Sequence, residues 1–142
     1  MSGARSWAVI GLIALGIGGA VWASRPVDNT REFSGIWLLE FEGSEFFEGA
    51  TLATVRDFDQ ADIGWLEEGD AIDLDKMVPD YDADAGCWKV RAFALRFRGQ
   101  RHYGVSGHLG LWNSRYEVAE LIEIKPLRWP ECESHYGWGT ER

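Results

Sequence analysis

The stretch Cys87–Leu127, CWKVRAFALRFRGQRHYGVSGHLGLWNSRYEVAELIEIKPL, decides the fold. From Cys87 to Gly99, Trp88, Val90, Ala92 and Ala94 point one way, and Lys89, Arg91, Phe93, Leu95 and Phe97 the other. That two-residue period predicts a strand. Neither face is purely polar, so both are expected to find cover. Gly99–Gly110 reads as a glycine-rich turn and Arg115–Leu127 as the last strand. Tyr116, Val118, Leu121, Ile122 and Ile124 suggest its inward face, with a bulge near Ala119-Glu120. The stretch is the closing hairpin of a β-domain.

Earlier segments supply the remaining strands. In Phe33–Phe47 (FSGIWLLEFEGSEFF), Ile36, Leu38 and Glu40 alternate with Trp37, Leu39 and Phe41, and Gly43-Ser44 turns or bulges the chain. Thr51–Val55 and Ile63–Leu66 read as shorter strands. Asp70–Asp84 (DAIDLDKMVPDYDAD) spaces Ile72, Leu74, Met77 and Val78 for one or two helical turns, stopped at Pro79. About five strands with one short helix before the last two is the order of a small OB-like, partly open Greek-key barrel. A β-sandwich is the alternative.

The domain has an N-terminal appendage. Residues 1–24 contain the uncharged run Trp7–Ala23 (WAVIGLIALGIGGAVWA) behind Arg5, near the lower length limit for crossing a bilayer. It is either a signal anchor, with Trp7 and Trp22 at the interfaces, or a cleaved signal peptide ending Val21-Trp22-Ala23. Either delivers the rest beyond the bacterial inner membrane, and the anchor form gives a single pass with a cytoplasmic N-terminus and a periplasmic domain. Residues 25–32 form a linker, 33–127 the β-domain, and 128–142 an irregular tail.

Composition limits the partners. A net charge of −9 over 142 residues disfavours nucleic acid, whose affinity comes from Lys and Arg on phosphates. It also disfavours electrostatic docking on anionic lipid. Cys87 and Cys132 fit the oxidising side of a membrane. A bridge between them would close a loop of about 46 residues, worth ~4 kcal/mol in the chain-entropy account. Unpaired thiols are the alternative.

Phe41-Glu42-Gly43-Ser44-Glu45-Phe46, a strand ending Phe97-Arg98-Gly99, then Tyr103-Gly104, Gly107-His108-Leu109-Gly110 and Tyr116-Glu117-Val118 resemble a group of small exported bacterial proteins. That group shows an early FExSxF strand and a YGHxG-type turn before a hydrophobic last strand. The chain departs from it where Val105, Ser106 and Gly107 separate Tyr103-Gly104 from His108. It also lacks a cysteine soon after the first strand. The resemblance implies an OB-like fold and an exported location, and no activity.

No motif names a reaction. Asp80, Asp82 and Asp84 match the opening ligands of an EF-hand loop, but Ala85 stands where glycine is needed and Arg91 where a bidentate Glu belongs. His102, His108 and His135 lack zinc spacing. Ser106 beside His108 has no nucleophile-elbow context. The basic set Lys89, Arg91, Arg96, Arg98 and Arg101 either docks an acidic partner or balances the Asp-rich loop internally. Trp112, Trp129 and Trp138 lie in or after turns, where they are either exposed for recognition or buried beneath the tail. The sequence therefore predicts a non-enzymatic, cofactor-free, membrane-anchored accessory subunit or adaptor of an envelope complex. Its partners are other membrane or periplasmic proteins, its membrane contact runs through residues 7–23, and Arg96, Arg98, Arg101, Tyr103, His108 and Trp112 are its candidate partner surface. The alternative is a cleaved, soluble periplasmic protein binding a small ligand or metal.

Overall fold

The computed structural model describes residues 29–130 and Cys132. The apolar run 7–23, linker residues 25–28, His135 and Trp138 lie outside the described residues. Seven strands follow in order: β1 Arg31–Glu40, β2 Gly43–Glu48, β3 Gly64–Glu67, β4 Tyr81–Asp82, β5 Cys87–Trp88, β6 Arg91–Ser106 and β7 Trp112–Leu127. Five of them close a barrel in the order β1-β2-β3-β7-β6, while β4 and β5 pair separately. The β3–β7 contact is parallel (Trp65 opposite Arg115) and every other barrel contact is antiparallel. This is the OB-like Greek-key barrel, fully closed, and the closure excludes a two-sheet sandwich.

Alternation sorts the side chains into an inner and an outer layer. Phe33, Trp37, Leu39, Phe46, Leu66, Phe93, Leu95, Phe97, Tyr116 and Val118 fill the interior. Phe33, Phe46, Phe97 and Tyr116 contact one another at 4.9–5.2 Å between ring centres, geometries worth about 0.5–1.5 kcal/mol per pair beyond area burial. The outer layer holds Ile36, Leu38, Phe47, Val55, Ile63, Val90, Ala92 and Trp112, with Phe58, Trp65 and Trp129 packed on it. Both faces of β1 and β6 are thus covered, as their composition requires.

Several boundaries differ from the sequence reading. Phe33–Phe47 is two strands joined by a tight turn at Phe41-Glu42, with Glu42 at φ 59°. Thr51–Val55 forms no strand. It leads instead into one turn of 3-10 helix, Val55–Asp57, whose Val55 is fully buried. The predicted short α-helix is two separate 3-10 turns, Gly69–Ala71 and Leu74–Lys76. Ile72, Ala71, Leu74 and Met77 still pack on the inner core, so the segment plugs one end of the barrel without completing a helix. Gly99 does not end its strand. A Cβ there would lie 2.0 Å from the Glu117 carbonyl oxygen, so glycine lets β6 and β7 approach while β6 runs on to Ser106. The expected bulge is present, because the register skips Ala119 between Val118 and Glu120.

Candidate functional site

At the barrel mouth where β1 begins, the inward parity of β6 continues past Gly99 to Arg101, which meets polar groups of β2 and β7. Glu48 is 2.9 Å from Arg31 and 3.3 Å from Arg101. The Tyr116 hydroxyl donates to Glu48 Oε2 at 2.9 Å, and Arg101 donates to Ser114 Oγ at 3.3 Å. Arg101 also lies 5.0 Å from the Tyr116 ring centre and 4.8 Å from that of Tyr103. Burial first, and then the Glu48 carboxylate, hold the Tyr116 phenol well above its ordinary range. It stays a donor at physiological pH. The network closes this mouth rather than opening a cavity.

The other end carries a second polar cluster. Trp37 Nε1 donates to Ser44 Oγ at 3.0 Å, and that hydroxyl faces two acceptors, Leu66 O at 2.9 Å and Glu68 Oε1 at 2.8 Å. One hydroxyl proton cannot satisfy both. The cluster is complete when Glu68 carries a proton of its own and donates it to Oγ. Burial, the largest effect, raises the Glu68 pKa above 4.5. A folded pKa above the unfolded one adds no penalty at low pH and removes stability as pH rises through the folded value. Glu68→Gln keeps a donor without the charge. Its stability relative to wild type should therefore improve as pH rises from about 4.5, read by urea unfolding across pH 4–8. A difference that does not change with pH would refute the protonated cluster.

The five basic residues of β5–β6 all have acidic neighbours. Arg91 reaches Asp80 at 2.8 Å and Lys89 reaches Asp82 at 3.5 Å. Arg96 pairs with Glu32, Arg98 with Glu120 and Arg101 with Glu48, at 3.3–3.5 Å. The Asp-rich loop and its own strands therefore account for the basic set. Asp82 also accepts the backbone N–H groups of Asp84 and Ala85 at 3.0 Å, and the Ala85 bond leads in holding its carboxyl below the usual range. Asp80, Asp82 and Asp84 thus build a turn. Among the described residues no three His, Cys, Asp or Glu side chains converge to hold a metal ion.

The six residues of the predicted partner surface do not share a face. Arg96 and Arg98 point outward along β6, and Arg101 points into the mouth. Tyr103 is 80% exposed, whereas Trp112 is 1% exposed and packs edge-on to Trp65 at 4.8 Å. His108 reaches Glu42 at 3.6 Å, and His102 reaches Glu117 at 3.3 Å. Ser106 Oγ donates to the Gly104 carbonyl at 2.8 Å, a local turn bond and not a nucleophile's arrangement.

Two exposed apolar sets come together that linear reading did not join. Phe41, from the β1–β2 turn, stacks on Trp88 of β5 at 4.5 Å and 9°, and Tyr81 of β4 meets Trp88 edge-on at 5.2 Å. The three are 55%, 41% and 53% exposed. The β6–β7 hairpin bears the other set, with Val105, Leu109 and Leu111 exposed beside Tyr103. Cys87 and Cys132 form a disulfide, Cα–Cα 5.7 Å, next to the aromatic trio. A shallow apolar groove of about 500 Å³ runs along the outer side of β1 and β6, lined by Ile36, Ala50, Leu52, Ala94 and Leu127 among others. No protein-family model, curated protein or solved structure matches this chain.

Proposed function

We propose that the barrel is a non-enzymatic accessory subunit or adaptor of an envelope protein complex. In this reading residues 7–23 hold it in the bacterial inner membrane, the barrel faces the periplasm, and the chain belongs with the small exported OB-like proteins it resembles. The observation that carries the reading is the Phe41–Trp88–Tyr81 cluster. Three aromatics in mutual contact, one pair stacked and one edge-on, exposed together on a small acidic domain are the kind of rigid, apolar anchor that protein interfaces use. The disulfide beside them suits an oxidising compartment and holds Trp88 next to a cross-linked residue. The filled interior and the paired mouth leave recognition to the surface.

The test is purification of the full-length protein from membranes, with mass spectrometry of what accompanies it and of its own N-terminus. A partner retained by wild type should bind the Trp88→Ala variant about 30-fold more weakly, the weight of a ~2 kcal/mol aromatic anchor. A mature chain beginning at Ser24 and running as a free monomer would defeat the proposal. So would a partner indifferent to Trp88.

A further inference from the structure

We infer that the β6–β7 hairpin rests on the phospholipid surface, with Tyr103, Val105, Leu109 and Leu111 at the headgroup–acyl boundary. The inference depends on the anchor reading above and goes beyond it, because it fixes which side of the barrel faces lipid.

Four large apolar side chains within residues 103–111 are 80%, 83%, 80% and 51% exposed. Val105 and Gly110 touch across the turn, where a Cβ on Gly110 would meet Val105 Cγ1 at 2.7 Å. The hairpin thus presents apolar surface from the end of β6 and from the turn that follows it. Apolar surface gathered in one place marks an interaction site more often than chance exposure does.

The path of the chain selects the occupant. Arg31 opens β1, and its guanidinium is 2.9 Å from Glu48; Glu48 is 3.3 Å from Arg101, whose guanidinium carbon is 4.8 Å from the Tyr103 ring centre. The chain therefore enters the barrel beside the base of the hairpin. Residues 24–30 alone separate the apolar run from Arg31. Seven residues span at most about 25 Å even when fully extended. An anchor ending at Ala23 therefore keeps this mouth, and the base of the hairpin at Arg101 and Tyr103, within that reach of the bilayer surface.

Charge defines the kind of contact. The arginines around the hairpin are engaged, Arg101 with Glu48 and Arg115 with Glu67, and the imidazoles of His102 and His108 lie beside Glu117 and Glu42. None of these pairs leaves a spare cation for anionic headgroups, so the contact is apolar and should not require acidic lipid. A tyrosine with three aliphatic neighbours suits the interface, where the ring is sheltered and its hydroxyl stays wet.

The test uses the full-length chain in phosphatidylcholine vesicles that contain lipids spin-labelled near the headgroup. A fluorophore is placed at Val105→Cys, the native cysteines being bonded to each other, and at Asp84→Cys in the β4–β5 turn as a control. Lipid contact predicts strong quenching at position 105 and little at 84. It also predicts no change when phosphatidylglycerol is added, and weaker quenching at 105 in a Tyr103→Ser/Leu109→Ser background. If the protein floats with the vesicles but position 105 is not quenched, the lipid contact is wrong and the anchor stands. If 105 is shielded from aqueous iodide yet unquenched by lipid, another protein or a second copy covers the hairpin, which also overturns the inference. A chain that does not float removes the anchor reading and this inference with it.

Discussion

Replacing Cys87 and Cys132 together with serine is expected to lower the unfolding free energy by about 4 kcal/mol and the midpoint temperature by roughly 15–20 °C. The bridge joins residues 45 apart in sequence. It fixes the chain just before β6 to the tail just after β7, so cutting it frees both strands' ends in the unfolded ensemble. The folded barrel keeps its strand ladders, which places the effect largely in the unfolded state. Wild-type protein unfolded in the presence of a reductant should match the serine pair. A loss below about 1 kcal/mol in urea titrations would show that the tail is held by other contacts and that the loop entropy is recovered elsewhere.

Trp37→Ala is expected to cost about 3–5 kcal/mol, a large share of the 5–15 kcal/mol that holds a typical domain together. Trp37 is completely buried. Its ring packs 5.2 Å from that of Phe93, and its indole N–H is the donor that Ser44 Oγ accepts. Alanine would leave a cavity in an interior already filled by rings, and would also remove the donor from the Ser44–Glu68 cluster. Trp37→Phe separates the two effects. It restores much of the volume and omits the N–H, so it should cost nearer 1–2 kcal/mol. Equal losses for alanine and phenylalanine would mean that the hydrogen bond, and not the packing, dominates at this site.

The sequence carried the fold wherever a two-residue period ran long enough to read. β1, β6 and β7 are ten or more residues long, and the skipped register at Ala119 follows from the break in the alternation of β7. Short elements were less legible. β3 has four residues and makes the parallel contact that closes the barrel, and nothing local marks a four-residue strand as a closing one. Ile72, Leu74, Met77 and Val78 have helical spacing, yet Ile72 and Asp73 are extended and split the segment into two single 3-10 turns. Gly99 looks like a terminator in the sequence because its reason for being glycine is the Glu117 backbone of another strand.

The candidate site was legible only in part. His108 lies in the hairpin turn as its glycine-rich surroundings suggest, whereas Tyr103 belongs to β6 and pairs with Ser114. Arg101 looks like a surface residue by its charge, yet Phe97, Gly99 and Arg101 share one parity, a signal that puts it inside. The trio of Phe41, Tyr81 and Trp88 comes from three segments that only the folded topology assembles, so no spacing in the chain announces it.

The parallel contact between β3 and β7 has a consequence for how the barrel is made. β1 needs β6 at its side, and β3 needs β7, with Trp65 meeting Arg115. As the chain grows from its N-terminus, the strands up to Glu67 can form only a three-stranded ribbon with both edges unpaired. The barrel cannot shut until the final strand has been synthesised. Folding should therefore be slow for a domain of this size, since its distant pairings must be met before they are rewarded. Until then the apolar face of that ribbon is exposed, so any factor that shields nascent chains would act on β1–β3.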